Sequence, residues 1–543
     1  MQSQSRTIAD ENPFAVSARV FTELTARLSS RETLAMTHGD LERLLDKDGR
    51  ELIRQLLQDH LDYRGTGEVR SDVLGARDVR RPHARLRERK LETIFGTVTV
   101  TRTGYSAHDA ETLFPRDAEL NLPPELYSHG VQRRAADEVI KTSFDQAVAA
   151  LASTTGAEVP KRQLEELAGR AAEDFDAFYE GRSAESVREA AKTSEILALQ
   201  TDGKGIAMRT ADLREATRKA AAERTHKLEK RLSRGEKRNT KRMAQVAAVY
   251  TIAANVRRPE DIVTDLGPAP NDGRKAVVRP RPEHKRVWAS VDKTPKAVIE
   301  QMFEEALRRD PARNKRWVAL VDGNPSQLAL LKKTSKRHGV APTIVLDVIH
   351  VLEYLWKAGI ALHGEGEPAT ERWVSERLLE ILRGNSSVVA ASMRRSATMR
   401  GMKTKDRLAV DNCAGYLLKY RAYLRYDQHL AAGLPISTGV IEGACRHLIK
   451  DRMDITGACW GLCGAEAVLK LRSLRASGDL DAYWAFHENA EHLRNHLDLY
   501  AAAPPPTVLP LKLVGRAHLG TFSTSAALGG AARGRVGETS GAT

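Results

Sequence analysis

Three carboxylates in this chain stand where phosphoryl-transfer chemistry is often found. Asp202, in LQTDGKG, and Asp322, in WVALVDGN, each follow an apolar run and precede a glycine. That pattern puts a carboxylate at the C-terminal end of a strand, with the backbone free to turn away. Glu442, in STGVIEGAC, falls in the first turn of a helix far along the chain. Two divalent ions about 3.5–4 Å apart need such a cluster, because hard Mg²⁺ takes oxygen ligands and keeps positions open for water and phosphate. Each acid also has an ordinary explanation. Asp before Gly is a turn dipeptide, and Glu442 suits its helix dipole and could pair with Arg446 at i+4. Spacing alone leaves both readings open.

The elements that would position these acids read as a mixed α/β pattern from residue 194 onward. SEILALQTDGKG is a strand ending at Asp202, and Ala244–Ala253 and Arg286–Val291 are two more. A helix over Pro295–Arg309 leads to a fourth strand ending at Asp322, and another helix leads to a fifth ending near Asp347. Helices then dominate residues 349–430, and a further helix starts near Gly439 with Val440, Ala444 and Leu448 on one stripe.

Upstream, Phe14, Phe21, Leu24 and Leu28, then Leu41, Leu44, Leu45, Leu52 and Leu56, recur at helical spacing. Leu91 to Tyr105 alternates on both sides of Gly96, a hairpin pattern preceded by the basic stretch RRPHARLRERK. Ser143 can cap a helix to about Ser153, and Pro160 sits where a second would begin, which is helix-turn-helix spacing. If that second helix entered a major groove, Lys161, Arg162 and Gln163 would be nearest the base edges; the alternative is a pair of core helices.

The chain has 543 residues and a net charge of +14, which excludes a peptide hormone or a lone binding module and favours a polyanionic partner without proving one. The start lacks the basic and apolar regions of a secretory signal, and no stretch approaches the length of a membrane span. The expectation is an intracellular protein. Cys413, Cys445, Cys459 and Cys463 form neither a disulfide framework nor a paired zinc ribbon; Cys445, His447, Cys459 and Cys463 could surround zinc, but packed thiols are the ordinary reading. The ERTHKLEKRLSRGEKRNTKR run carries Arg224, Lys227, Lys230, Arg231, Arg234, Lys237, Arg238, Lys241 and Arg242, by default a solvated face. Residues 501–543 are rich in Ala, Gly, Pro and Ser and read as disordered.

The strings LQTDGKG, LSRGEKRNTKRMAQVAAVY, WVALVDGN, TIVLDVIHVLEYLWKA and above all STGVIEGACRHLIKDRMDITGACWGL resemble the ISKra-type insertion-sequence transposases, DDE enzymes related to Mutator-like elements. The resemblance runs from about residue 90 to 490. It implies an RNase H-like core in which Asp202, Asp322 and Glu442 hold two Mg²⁺ or Mn²⁺ ions. Asp347-Val348-Ile349-His350 matches a Cys-or-Asp, two residues, His pattern of the relatives, giving Asp347 and His350 a supporting role; Asp347 in place of Asp322 is the alternative triad. The domains expected are N-terminal helices and hairpin at 1–110, a helix-turn-helix region at 111–190, an RNase H-like core at 191–360 with a basic insert at 209–243, an all-α insertion at 361–432, the rest of the core at 433–500, and the tail.

The partners so implied are double-stranded DNA, as terminal inverted repeats and target, and further copies in a homodimer or larger synaptic assembly at the bacterial nucleoid. Beside a nuclease-like core the basic run becomes a phosphate-binding arm, and Arg446, Lys450 and Arg452 could hold a scissile strand. The rival readings are a catalytically silent DNA-binding regulator and a structure-specific nuclease that cuts without joining.

Overall fold

The computed structural model describes residues 12–182, 189, 192–223, 228, 233, 240–266, 279–455, 457–501 and 505–508. Lys230, Arg231, Lys237 and Arg238 of the basic run, and most of the tail, lie outside the described residues.

At the N-terminus, α1 (Ala15–Leu28) packs on the long α2 (His38–Tyr63), which in turn lies on an antiparallel sheet of β1 (His83–Thr93), β2 (Gly96–Ala107) and β3 (Ala110–Leu113). The RRPHARLRERK stretch does not simply precede the hairpin: from His83 to Lys90 it forms most of β1. Thr93 pairs with Gly96, leaving a two-residue turn, and Gly96 takes φ +121°, a value that L side chains rarely adopt. The short β3 leaves much of β2 without a second strand. There the Gln58 side chain of α2 takes its place, accepting from Thr99 N at 2.8 Å and donating to Thr99 O at 2.9 Å.

The expected helix pair is present. Ser143 and Gln146 cap each other reciprocally at the start of α4 (Phe144–Thr154), and α5 (Lys161–Ala171) begins directly after Pro160. Together with α3 (His129–Lys141), these helices bury Val139, Leu151, Leu164 and Leu167 in one continuous hydrophobic cluster with the larger sheet that follows.

That sheet has five strands, β4 (Ile196–Ala207), β5 (Lys241–Ile252), β6 (Glu283–Ser290), β7 (Arg316–Val321) and β8 (Thr343–Leu346), in the order β6-β5-β4-β7-β8. β5 pairs antiparallel with both β4 and β6, while β7 pairs parallel with β4 and β8 parallel with β7. The fold is thus α+β with a mixed sheet. β4 is central and covered on both faces, so Ile196, Leu197, Ala198 and Leu199 are all fully buried, and its sequence is a continuous apolar run rather than an alternation.

The crossovers are α6 (Pro295–Arg309), capped by Thr294, and α7 (Pro325–Arg337), capped by Asn324; each has proline at its start, where the missing N–H costs no hydrogen bond. Four long helices follow β8: α8 (Val348–His363), α9 (Pro368–Leu382), α10 (Ser386–Met399) and α11 (Thr404–Lys419). The chain returns through α12 (Gly439–Ala444), which continues as a π-helical turn over Cys445–Lys450, and ends in α13 (Leu462–Ser477) and α14 (Leu480–Asn495). α13 seals the outer edge of β6: Ser473 Oγ accepts from Ala289 N, Ser477 Oγ from Val287 N, and Glu466 from Val291 N at 2.8 Å. Among the described residues no helix is long and apolar enough to cross a membrane.

Candidate active site

The ladder aligns three acids. β4 and β7 pair through Gln200 and Leu320, and β7 and β8 pair through Val321 and Leu346. Asp202 and Asp322 lie two residues past the first pair, and Asp322 and Asp347 one past the second. They are therefore level across three neighbouring strands, which in a sheet stand about 4.8 Å apart. Asp347 N donates to Val321 O at 2.9 Å, which holds the β7 and β8 ends together just where the acids emerge.

Asp202 corrects the expectation of a strand end. β4 continues through Ala207, still paired with β5 as far as Lys241, so Asp202 is an interior residue of its strand. β7 is what stops: past Val321, β4 has no parallel partner, and Asp202 borders the gap. Its Oδ1 accepts from Gly203 N at 2.6 Å and its Oδ2 from the Cys445 thiol at 3.3 Å. Burial, reinforced by Asp202's charge, pushes the Cys445 thiol well up, so it stays a proton donor. Cys445 is three residues beyond Glu442, hence one turn along the same helix.

Asp322 does end its strand. Its Oδ1 accepts from Asn324 N at 2.8 Å, closing an Asx turn, and Gly323 takes φ +91°. Two hydroxyls from α11 fix this turn: Tyr416 donates to Asp322 O at 3.0 Å and Tyr420 to Gly323 O at 2.5 Å. A Cβ on Gly323 would sit 3.1 Å from Tyr416 Oη, so both the φ and the close approach call for glycine.

Asp347 is fully buried at the N-cap of α8. Its Oδ1 accepts from Ile349 N at 3.0 Å and Thr438 N at 3.3 Å, and its Oδ2 from Thr438 Oγ1 at 2.5 Å. The same Thr438 oxygen lies 3.3 Å from Glu442 Oε1. One hydroxyl proton cannot fully serve both carboxylates. Burial raises the pKa of Asp347 against its hydrogen bonds, and burial together with the charge of Asp347 raises that of Glu442. His350, half-buried on the first turn of α8, completes a group in which one ligand atom from each of Asp347, His350 and Glu442 lies within 4.8 Å of the others.

Among the described residues this is the only such group of three or more His, Cys, Asp or Glu residues. Asp202 and Asp322 stand beside it rather than in it. Cys445, His447, Cys459 and Cys463 do not assemble: Cys445 is buried against Asp202, while Cys459 and Cys463 are exposed. A donor set of carboxylates and one imidazole fits a divalent cation, and the nitrogen suits Mn²⁺ or a later first-row ion better than Mg²⁺.

The expected DNA contacts divide into exposed and structural side chains. Lys161 is exposed and paired with Asp145 at 2.9 Å; Arg162 is exposed beside Glu166; Gln163 is taken by the Tyr127 hydroxyl. Lys241 meets Asp454 at 3.2 Å, and Arg242 is tied to Val291 O and Asp212 O. Arg446 and Lys450 are exposed, and Arg446 lies 3.7 Å from Asp451, which replaces the expected pairing with Glu442. Arg452 is not on the surface beside Glu442. It is 3% exposed, its Nε donates to Val139 O, and its guanidinium lies over the Trp460 ring at 4.8 Å.

Thr438, Tyr416 and Tyr420 support the acids without having been singled out in the sequence, and Cys445, weighed there only as a zinc ligand or packed thiol, supports Asp202. A signal existed for the tyrosines, spaced i, i+4 in AGYLLKY and so on one helical face. Neither the protein-family models nor the curated proteins searched include a match to this chain.

Proposed function

We propose that this protein is a DDE-type transposase that cuts DNA at the ends of an insertion sequence and joins them to target DNA. The observation that carries this reading is the convergence of Asp202, Asp322 and Asp347, level on adjacent strands, with Glu442 brought in by a helix from far along the chain. The sheet order, with three antiparallel strands followed by two parallel ones, supports an RNase H-like core, and the resemblance to ISKra-type transposases points the same way.

Asp202, Asp322 and Glu442 would hold two divalent cations, with Asp347 and His350 in support. Such ions lower the pKa of bound water and offset charge on phosphoryl oxygens. The chain's own residues position the acids. The Cys445 thiol fixes one Asp202 oxygen, the Tyr416 and Tyr420 hydroxyls hold the Asp322 turn, and Thr438 ties Asp347 to the Glu442 helix.

In the cleavage step, water oxygen bonds to phosphorus and the P–O3′ bond breaks, leaving a 3′-hydroxyl and a 5′-phosphate. In the joining step, that 3′-oxygen bonds to a target phosphorus and displaces the target's own 3′-hydroxyl. Two ends must be joined together, so the working form is a dimer or larger. α4 and α5, the basic run, Arg446 and Lys450 would hold DNA through backbone contacts.

The test incubates a labelled duplex carrying the ends that flank the reading frame with Mg²⁺, Mn²⁺ or chelator, using wild type, Asp322→Asn and Glu442→Gln. Metal-dependent cleavage lost in both variants, with DNA binding retained, supports the assignment, and strand-transfer products separate it from a nuclease. Binding without cleavage under every metal condition sinks it.

A further inference from the structure

A second site lies at the C-terminal end of β4, beyond Asp202. Trp460 N donates to Ala207 O at 3.0 Å and Arg209 N to Trp460 O at 2.8 Å, so the loop before α13 extends the strand edge past Ala207. Between that loop and the helix-turn-helix pair is a cleft of about 660 Å³. Three helix starts meet there, represented by Phe144 of α4, Lys161 of α5 and Leu462 to Gly464 of α13. Neither α5 nor α13 has a side-chain cap, so their first N–H groups and positive dipole ends face a shared space.

A separate observation points to a ligand. Arg452 lines this cleft, is 3% exposed, and its buried Nη2 has no hydrogen-bond partner. Burial lowers its pKa to about 10, still well above neutrality, so a buried cation stands beside the helix starts. A guanidinium with an unmet donor, Lys161, Arg209 and uncapped backbone N–H groups suit a phosphate. Asp145, Glu165 and Asp212 also line the cleft, and Asp145 is paired with Lys161.

We infer that this cleft seats a backbone phosphate of the DNA strand whose scissile bond lies at the acidic site. The inference rests on the function proposed above. Ala207 is five residues along β4 from Asp202. At about 3.3 Å per residue the two are about 17 Å apart, the span of about five nucleotide steps at 3.4 Å each. The cleft therefore holds the strand to one side of the cut and links the helix-turn-helix pair to the catalytic sheet through the DNA itself.

Gly464, in the first turn of α13, gives the test. A Cβ there meets nothing within 4 Å, so the position accepts a side chain. In Gly464→Glu a carboxylate at an uncapped helix start favours the helix while repelling a phosphate, and Gly464→Gln is the neutral control. The full-length proteins are compared in binding a fluorescein-labelled duplex and in the rise of the thermal midpoint with pyrophosphate.

The expected result is DNA binding about ten-fold weaker for Gly464→Glu than for Gly464→Gln, with the pyrophosphate response lost only in the former and its midpoint without ligand no lower. Equal DNA binding by both variants overturns the inference and leaves the transposase reading intact. If wild type binds no duplex at all, the transposase reading itself fails. A pyrophosphate response lost only in Gly464→Glu would then assign the cleft to free phosphates and overturn DNA as its occupant.

Discussion

Thr438→Val removes one hydroxyl at nearly constant shape, at a position 4% exposed. The hydroxyl donates to Asp347 Oδ2 at 2.5 Å and lies 3.3 Å from Glu442 Oε1, so the variant deprives a buried carboxylate of its shortest hydrogen bond. A hydrogen bond to a charged group contributes about 1.5–3 kcal/mol, and about 2 kcal/mol is equivalent to roughly 1.5 pKa units. The carboxyl of Asp347, already raised by burial, rises further. A group whose folded pKa lies above its unfolded value contributes stability that is fully present below the unfolded pKa and lost as pH rises through the folded one. The destabilisation by Thr438→Val should thus be small near pH 4 and grow to about 2 kcal/mol by pH 7.5 in chelator. Urea titrations at several pH values measure this. A loss of equal size at every pH would mean that the hydroxyl matters for packing alone, and would refute the argument that it stabilises the ionised form of the buried Asp347 carboxylate.

The raised pKa values of the two carboxyls give Mn²⁺ binding a pH dependence. Asp347 and Glu442 both have raised pKa values and must lose their protons to ligate, so affinity should climb between pH 5 and 7.5, and calorimetry in two buffers should show proton release. A flat profile would count against these two ligands. Elsewhere, Glu305 is buried between Arg286 at 2.5 Å and Arg309 at 2.7 Å, and those cations hold its pKa down to about 2 despite burial. Its lowered pKa contributes stability present above the unfolded value and lost only as pH falls through about 2. Glu305→Gln leaves the arginines buried without their counter-charge and should cost about 3–5 kcal/mol at neutral pH by chemical denaturation.

Periodicity revealed what depends on local burial. The unbroken run Ile196–Leu199 marks a strand covered on both faces, and Ser143 with Gln146, then Pro160, mark the starts of α4 and α5. It misplaced Asp202, because Asp-Gly reads as a turn while the ladder to β5, which comes much later in the chain, keeps Gly203 to Ala207 extended. Nor did it reveal that Arg452, expected near a scissile strand because it follows Glu442 closely, is buried: its neighbours Phe144, Val139 and Trp460 come from segments that sequence spacing does not relate. Asp347 and His350 were visible only as a short spaced pair. That Glu442 completes their group depends on the fold of the whole chain between α8 and α12.

That intervening helical block is more than an insertion between two acids. Tyr416 donates to Asp322 O, Tyr420 to Gly323 O and Tyr426 to Leu346 O at 2.7 Å, so three phenol hydroxyls close carbonyls left open where β7 and β8 stop. A strand that ends short of its neighbours leaves backbone carbonyls that must find donors. Burial raises the Tyr416 and Tyr426 pKa values, which keeps these hydroxyls protonated as donors. The block thus lets β7 and β8 stop short while β4 runs on, and that difference in length opens the gap that Asp202, Asp322 and Asp347 border.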